Sequence, residues 1–323
     1  MINFRKNRIY LESFQKVKTD LISVGIKKTD AEIIADCLAL SDSFGVFSHG
    51  SKLIPSYISM IKSGKFNLNP QYSIEVETPS FAKIDGDNSI GVLSANHCLK
   101  YAIEKAKQSG VFTIFSRNNN TFGPAFYYSL LAAEQKMICF ITSNSPAQMP
   151  ILFDGKEKML GTNPFSICFP SSEDYPIIVD MASSAIAKSK ILEYKEKGIA
   201  LPDGWALDSD GKPTNDPDEA LNGFMMPMSG IKGYSISLSI DILAGLLSGA
   251  AFLNNVGKFY SNNTQKMDVG FYLTVINPYL VYGKDYDDKI KQYIDTIRNS
   301  SSENQNIVLP GDDRIAFHKK NSF

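Results

Sequence analysis

Histidine is scarce in this 323-residue chain, with only three, at positions 49, 97 and 318. Imidazole is the side chain best suited to hand over a proton near neutral pH, so the scarcity concentrates the acid–base options on few places. His49, in Ser48-His49-Gly50 before Pro55, is the first of them. Net charge is also nearly absent: 33 basic against 34 acidic residues leave a formal charge of -1, which removes the electrostatic case for a nucleic-acid partner. The four cysteines, Cys37, Cys98, Cys139 and Cys168, show neither C-x-x-C spacing nor pairing with histidine. They lie among apolar neighbours, as in Met137-Ile-Cys-Phe-Ile141, and read as buried thiols in a reducing compartment, with no metal expected. The amino terminus lacks the apolar run of a signal peptide, so a cytoplasmic location is the default expectation. No Gly-x-Gly-x-x-Gly follows a strand pattern and no P-loop lysine occurs, so a standard dinucleotide fold lacks its own signature.

One apolar stretch, Ile236 to Phe252, is interrupted by Asp241 and several serines and falls short of a membrane span. A buried helix is expected there, with small residues at 244, 245, 248 and 249 that would let another helix approach, in the core or between subunits.

With 43% apolar and 21% charged residues, the chain can bury a substantial core, and its length sets a prior of two domains. Apolar periodicity predicts helices over Leu11 to Val24 and Lys28 to Leu40, the second capped by Thr29-Asp-Ala-Glu32. Further helices are expected over Ile54 to Ser63, Ala95 to Ser109, Ala125 to Lys136 and Asp285 to Asn299. Short β-type runs occur at Ser80 to Asp85, Val111 to Phe115, Met137 to Thr142, Phe165 to Phe169 and Ile177 to Val179. They indicate an α+β unit whose loops, rich in Asn, Pro and Gly, carry the motifs, as binding loops commonly do on a rigid sheet.

Those motifs run in order: Ser48-His-Gly50, Arg117-Asn-Asn-Asn-Thr-Phe-Gly123, Thr142-Ser-Asn-Ser-Pro146, Leu160-Gly-Thr-Asn-Pro164, Val179-Asp-Met-Ala-Ser183, Pro202-Asp-Gly-Trp-Ala-Leu-Asp208 and Lys232-Gly-Tyr234. The series resembles the type 2 malate/L-lactate dehydrogenase family, whose relatives include sulfolactate and ureidoglycolate dehydrogenases, diketogulonate reductase and cyclic-imine reductases. The resemblance implies a largely antiparallel cofactor-binding sheet over residues 71–264, different from a Rossmann fold. It also implies a second, mainly helical domain made from both chain ends, 1–70 and 265–323. NADH or NADPH is the implied cofactor and a homodimer the implied assembly.

On this resemblance His49 donates the proton to the carbonyl oxygen, or imine nitrogen, of a substrate that receives hydride, with Ser48 fixing its tautomer. Asp180, after the apolar run Ile177-Ile-Val179, orients the imidazole or contacts the cofactor. On the residues alone it reads equally as the N-cap of a helix beginning at Ala182. The implied cofactor contacts are Asn120, Phe122, Gly123, Ser145, Gly161, Thr162, Asn163, Asp180, Met181, Ala182, Lys232 in a flexible glycine loop, Gly233, and Pro310-Gly311-Asp312. Lys52 and Thr121 are the implied substrate contacts.

Departures from the family pattern concern the substrate. Thr121 stands where relatives commonly have histidine, and a hydroxyl does not titrate at neutral pH. Ile231 replaces the histidine before Lys-Gly-Tyr, Leu53 and Ser56 occupy the positions of a carboxylate-gripping arginine, and Phe44 replaces another arginine. The pocket has thus lost titratable and cationic groups, so a larger, less anionic substrate than malate or sulfolactate is expected, and the reading is an oxidoreductase that reduces a ketone, keto-sugar or 2-oxo acid. Two alternatives are a cyclic-imine reductase and a catalytically silent relative serving in binding or assembly.

Overall fold

The computed structural model describes residues 2–151, 157–259, 266–300 and 307–322. Its main sheet has seven strands: β1 (Ser73–Glu77), β2 (Phe81–Ser89), β3 (Val111–Asn119), β4 (Ile138–Ser143), β5 (Phe165–Phe169), β6 (Ile177–Met181) and β7 (Val269–Ile276). They lie in the order β1-β2-β3-β7-β4-β5-β6. Only β2 and β3 run parallel, joined through helix α4 (Gly91–Ser109), because a parallel neighbour needs a crossover; every other pair is antiparallel. The expected α+β class with a largely antiparallel sheet is therefore the observed one.

Alternation along the strands decides what each sheet face does. Phe112, Ile114, Cys139, Ile141, Phe271, Leu273 and Val275 point into the core, where α4 and α5 (Ala125–Glu134) cover them with Leu99, Ala102, Phe126 and Leu130. Phe115, Tyr272, Phe140 and Phe165 point the other way and meet edge-on or tilted, with centroids 5.1 to 6.2 Å apart. The core continues without a break into the helices α1 (Arg8–Ser23), α2 (Lys28–Ser43) and α3 (Ile54–Lys62). The two chain ends are tied together: Asn7 caps α1 by accepting from the Tyr10 N–H and donates its amide to the His318 carbonyl at 2.8 Å.

A smaller apolar cluster, with Met149, Leu160, Ile191, Leu201, Ala206 and Met225 at its centre, holds a lobe of short strands. It includes α6 (Lys188–Lys197) and α7 (Pro217–Asn222). Helix α8 (Ile231–Ile240) leads back to the sheet through a π-helical turn at Asp241–Leu246. Three further helices follow: α9 (Pro278–Val281), α10 (Tyr286–Arg298) and α11 (Asp312–Lys320).

Several expectations need correction. A boundary at 264/265 assigns to the helical unit a strand, β7, that the sheet holds at its middle between β3 and β4. Thr29 lies inside α2, whose cap residue Lys27 makes no side-chain hydrogen bond, so the Thr29–Glu32 pattern caps nothing. The segment 236–252 is not one buried helix. It changes from α to π at Asp241, and Ile242, Leu246 and Leu247 are each 43 to 52% exposed. Its small residues admit a strand instead of a helix: a Cβ on Gly270 of β7 would meet the Ala244 carbonyl at 1.7 Å. Among the described residues no helix is long and apolar enough to cross a membrane.

Candidate active site

The loop that carries His49 is clamped from below by a buried carboxylate. Asp42, near the end of α2, accepts from the Ser51 N–H at 3.0 Å and the Ser13 hydroxyl at 2.8 Å. Its other oxygen lies where a Cβ on residue 50 would be, at 1.8 Å, so only glycine can follow His49 here. Two 3-10 turns, Phe47–His49 and Ser51–Leu53, then fix the direction of the imidazole.

His49 and Ser48 form one wall of a cavity of about 410 Å³. Opposite and around them stand Thr121, Phe122 and Gly123 from the end of β3, Asn144 and Ser145 after β4, and Thr162 before β5. The size and the mix of apolar walls with a few converging polar groups are those of a small-molecule site. The Ser48 hydroxyl is 3.0 Å from Nδ1 of His49, which leaves Nε2 as the ring nitrogen available to a ligand.

Burial holds the His49 pKa below its ordinary value; the Asp180 carboxylate pulls it up and the Arg314 guanidinium pushes it down. Asp180 is a residue of β6, not a helix cap, because the next helix starts only at Lys188. Its Oδ2 pairs with Arg314 of α11 at 2.8 Å, and Arg314 also lies 5.1 Å from the centroid of the Phe126 ring. Arg314 Nη1 is buried with no hydrogen-bond partner among the described residues. The pair thus sets the charge next to His49, and Arg314 is a contributor that the sequence motifs did not mark.

Of the residues singled out from sequence, Ser48, His49, Thr121, Phe122, Gly123, Ser145 and Thr162 meet in this one cavity. Others shape it from behind. Asn163, at φ 31, accepts from the Ser145 N–H at 3.0 Å and donates to the Ser237 carbonyl at 3.0 Å. Gly161 has no room for a Cβ, which would fall 2.1 Å from the Ser145 carbonyl oxygen. Asn120 is buried and donates to the Asn88 and Ser89 carbonyls, joining β3 to β2. Gly233 packs its Cα against the Met228 and Ser183 carbonyls.

The remainder stands apart from the cavity lining. Lys232, itself exposed, is the second residue of α8 and so stands on a helix instead of in a flexible loop. Lys52 is exposed while its neighbour Leu53 lines the cavity. Met181 ends β6 at 41% exposure, and Ala182 follows it half-buried. The Pro310 carbonyl accepts from the Ile178 N–H at 3.0 Å, Gly311 packs on Ile178, and Asp312 pairs with Arg298 at 3.1 Å. All four cysteines are buried, and burial drives the Cys98 and Cys168 thiols up to about 12, which removes them as nucleophiles near neutral pH. The cavity also has two cations that no motif indicated, Lys188 and Lys258.

Comparison with known proteins decides the family. The malate/L-lactate dehydrogenase family model matches residues 11–322. The chain belongs to that family. It is 39% identical to the L-sulfolactate dehydrogenase of Methanocaldococcus jannaschii over 97% of this chain and 91% of that protein. The solved structure of the M. jannaschii sulfolactate dehydrogenase superposes with a TM-score of 0.88, at 37% identity, covering 97% of this chain and 91% of that one. Malate dehydrogenase of Pyrococcus horikoshii is 35% identical over 94% of this chain and 84% of that protein. The ureidoglycolate dehydrogenase (NAD(+)) of Escherichia coli K12 is 31% identical over 82% of this chain and 75% of that protein. As a family member the chain is an oxidoreductase of the group that acts on hydroxy and oxo acids.

Proposed function

We propose that this family member is a reductase that uses NADH or NADPH to convert a 2-oxo acid or related ketone to the hydroxy compound, with His49 as the proton donor. The observation that carries the reading is a half-buried imidazole, oriented through Nδ1 by Ser48, on the wall of the cavity with Asp180 and Arg314 nearby. The cavity suits a nicotinamide in its donor set: Ser145 and Thr162 offer hydroxyl groups to the carboxamide and ribose, and Phe122, Pro164 and Val269 offer apolar contact. A nicotinamide bound there supplies hydride to the substrate carbon.

The chain's own part is the proton. Reduction leaves negative charge on the carbonyl oxygen, and an imidazolium Nε2 within hydrogen-bond reach neutralises it by transfer. Asp180 favours the protonated imidazole, while Arg314 and burial return it to the neutral form once the proton has gone. Phe122, Leu53 and Phe259 narrow the cavity and limit water around the reacting carbon.

The same reading takes the molecule as a cytoplasmic homodimer. Ile242, Leu246, Leu247 and Phe252, 38 to 52% exposed along the α8 region, supply an apolar surface for a second copy. Light scattering on purified protein tests this, and a monomer at micromolar concentration refutes it. Fluorescence titration with NADH and with NADPH tests the catalytic reading. Saturable binding of either supports it; binding of neither by folded protein points to a silent relative.

A further inference from the structure

A second cavity, of about 450 Å³, lies among helices α2, α4 and α5 and shares no lining residue with the one around His49. Each helix turns one polar stripe toward it. Glu32 and Asp36 are one turn apart on α2, Asn96 and Lys100 are one turn apart on α4, and Tyr127 and Glu134 are two turns apart on α5. Between helices that share a core, such stripes are ordinarily apolar. Here Ile33, Leu99 and Leu131 supply only part of the wall. Among the described residues no serine, cysteine or histidine lines it, so the cavity is equipped to bind and not to react.

Asn96 points to a ligand. It is 5% exposed, lines the cavity, and its side-chain amide makes no hydrogen bond among the described residues. A buried amide without partners is costly, and asparagine is a poor helix former as well, so neither packing nor propensity explains it at this place. The carboxylates nearby differ in what they have left to offer. Asp36 is saturated: Arg5 donates to its two oxygens at 2.8 and 3.0 Å, and the Tyr10 and Tyr127 hydroxyls add bonds of 2.7 and 3.1 Å. Glu134 gives Oε1 to Arg5 at 2.8 Å, and its other oxygen accepts nothing among the described residues. Glu32 has Lys18 at 3.9 Å and no hydrogen bond among the described residues. On α4, Lys100 is exposed and forms no ion pair among the described residues.

We propose that this cavity is a ligand site separate from the His49 cavity, and that it takes a free amino acid with an apolar side chain. Glu32 and Glu134 receive the ammonium and Lys100 the carboxylate. The Asn96 amide, which both donates and accepts, bridges the two ends, and Ile33, Leu99 and Leu131 hold the side chain. A zwitterion with an apolar body uses all of these groups, whereas a plain anion or a hydrocarbon leaves most of them idle. The assignment is independent of the reductase reading, because no residue of the His49 cavity takes part.

Isothermal calorimetry on the whole chain tests the proposal with L-leucine and its two halves. These are 3-methylbutylamine, which lacks the carboxylate, and 4-methylpentanoate, which lacks the ammonium. The wild-type chain binds leucine, and binds each half about 5-fold more weakly or worse, the loss of one exposed ion pair. Asn96→Leu removes the unpaired amide at nearly constant size; it melts no lower than wild type and weakens leucine binding by about 10- to 100-fold. Glu32→Gln and Lys100→Ala, at the rim, each weaken it by about 2- to 5-fold. Hydrogen exchange shows protection by leucine in α2, α4 and α5. Absence of leucine binding by the folded chain, binding that survives Asn96→Leu, or equal binding of the amine and the amino acid overturns the proposal. So does protection confined to residues 48–53 and 121–123, which would place leucine in the His49 cavity. Should Asn96→Leu fail to fold, the rim variants decide, and unchanged affinity in both of them overturns the proposal.

Discussion

The interior and the mouth of the cavity are built in different ways. His49 stands on a loop clamped by buried Asp42 and flanked by the Asp180–Arg314 pair, and these supports belong to the main core that joins both chain ends. Lys188 stands on the smaller lobe, with its short strands and separate apolar cluster, and Lys258 on a segment that packs beside Tyr57 and Lys65; both side chains are exposed. The difference teaches a division of labour: the imidazole proposed as the proton donor is held by packing that cannot shift, whereas the exposed cations at the rim stand where they can change at little cost to the fold.

Breaking the interior should therefore cost stability as well as activity. Asp180→Ala leaves a largely buried guanidinium without its partner, and a loss of about 3 kcal/mol is expected in denaturant unfolding. An unchanged midpoint would show that Arg314 finds another acceptor. Gly50→Ala forces a Cβ onto Asp42 Oδ1, 1.8 Å away in the present geometry, with an expected cost of about 1–3 kcal/mol and a drop in turnover. Stability equal to wild type would mean that the loop has room to move.

The pH dependence sharpens the comparison further. For reduction, kcat/KM should fall as pH rises through the His49 pKa, with a midpoint below 6.5 in the free enzyme because burial favours the neutral ring. Asp180→Asn removes the influence that raises this pKa and moves the midpoint down. Arg314→Gln removes one that lowers it and moves the midpoint up. Shifts of equal sign in the two variants would contradict the assignment.

His318 gives a smaller effect with a definite sign. It is buried against the Phe4 and Phe44 rings, with its pKa lowered by burial. The unfolded chain therefore binds the proton more readily than the folded one, and this contribution to stability, present above about pH 6.5, is lost as pH falls below it. Thermal melts at pH 7.5 and 5.5 should show it, and a His318→Phe variant should show less of it. Smallest of all, Lys190→Ala removes an exposed pair on α6 and should change stability by less than about 1 kcal/mol.

Much of this was legible in the sequence, and what was missed has physical reasons. The helices beginning near 11, 28, 54, 95, 125 and 285 and the strands at 111, 138, 165 and 177 follow from apolar period, and the ordered motifs identify the family that fixes the sheet type. Strand β7 went unread although Val269-Gly-Phe-Tyr-Leu-Thr-Val-Ile276 is rich in β-branched and aromatic residues, because its place at the sheet centre depends on partners distant in sequence. Strand β1 is exposed throughout and carries no burial pattern to read. At the site, Ser48, His49 and Thr121 to Gly123 were visible as motifs. Lys188 was not, since four lysines on a polar helix look like a solvated face until the fold shows which one meets the cavity. Arg314 was hidden for the same reason, its role existing only through contact with a strand 134 positions away.

The central claim is that His49 delivers the proton that accompanies hydride transfer. Its most direct test is the single-turnover oxidation of bound NADH or NADPH by a 2-oxo acid substrate, in the wild type and in His49→Ala. The account predicts a hydride-transfer rate lower by about 10²- to 10⁴-fold in the variant, with dinucleotide affinity preserved. Equal rates in the two proteins would contradict it.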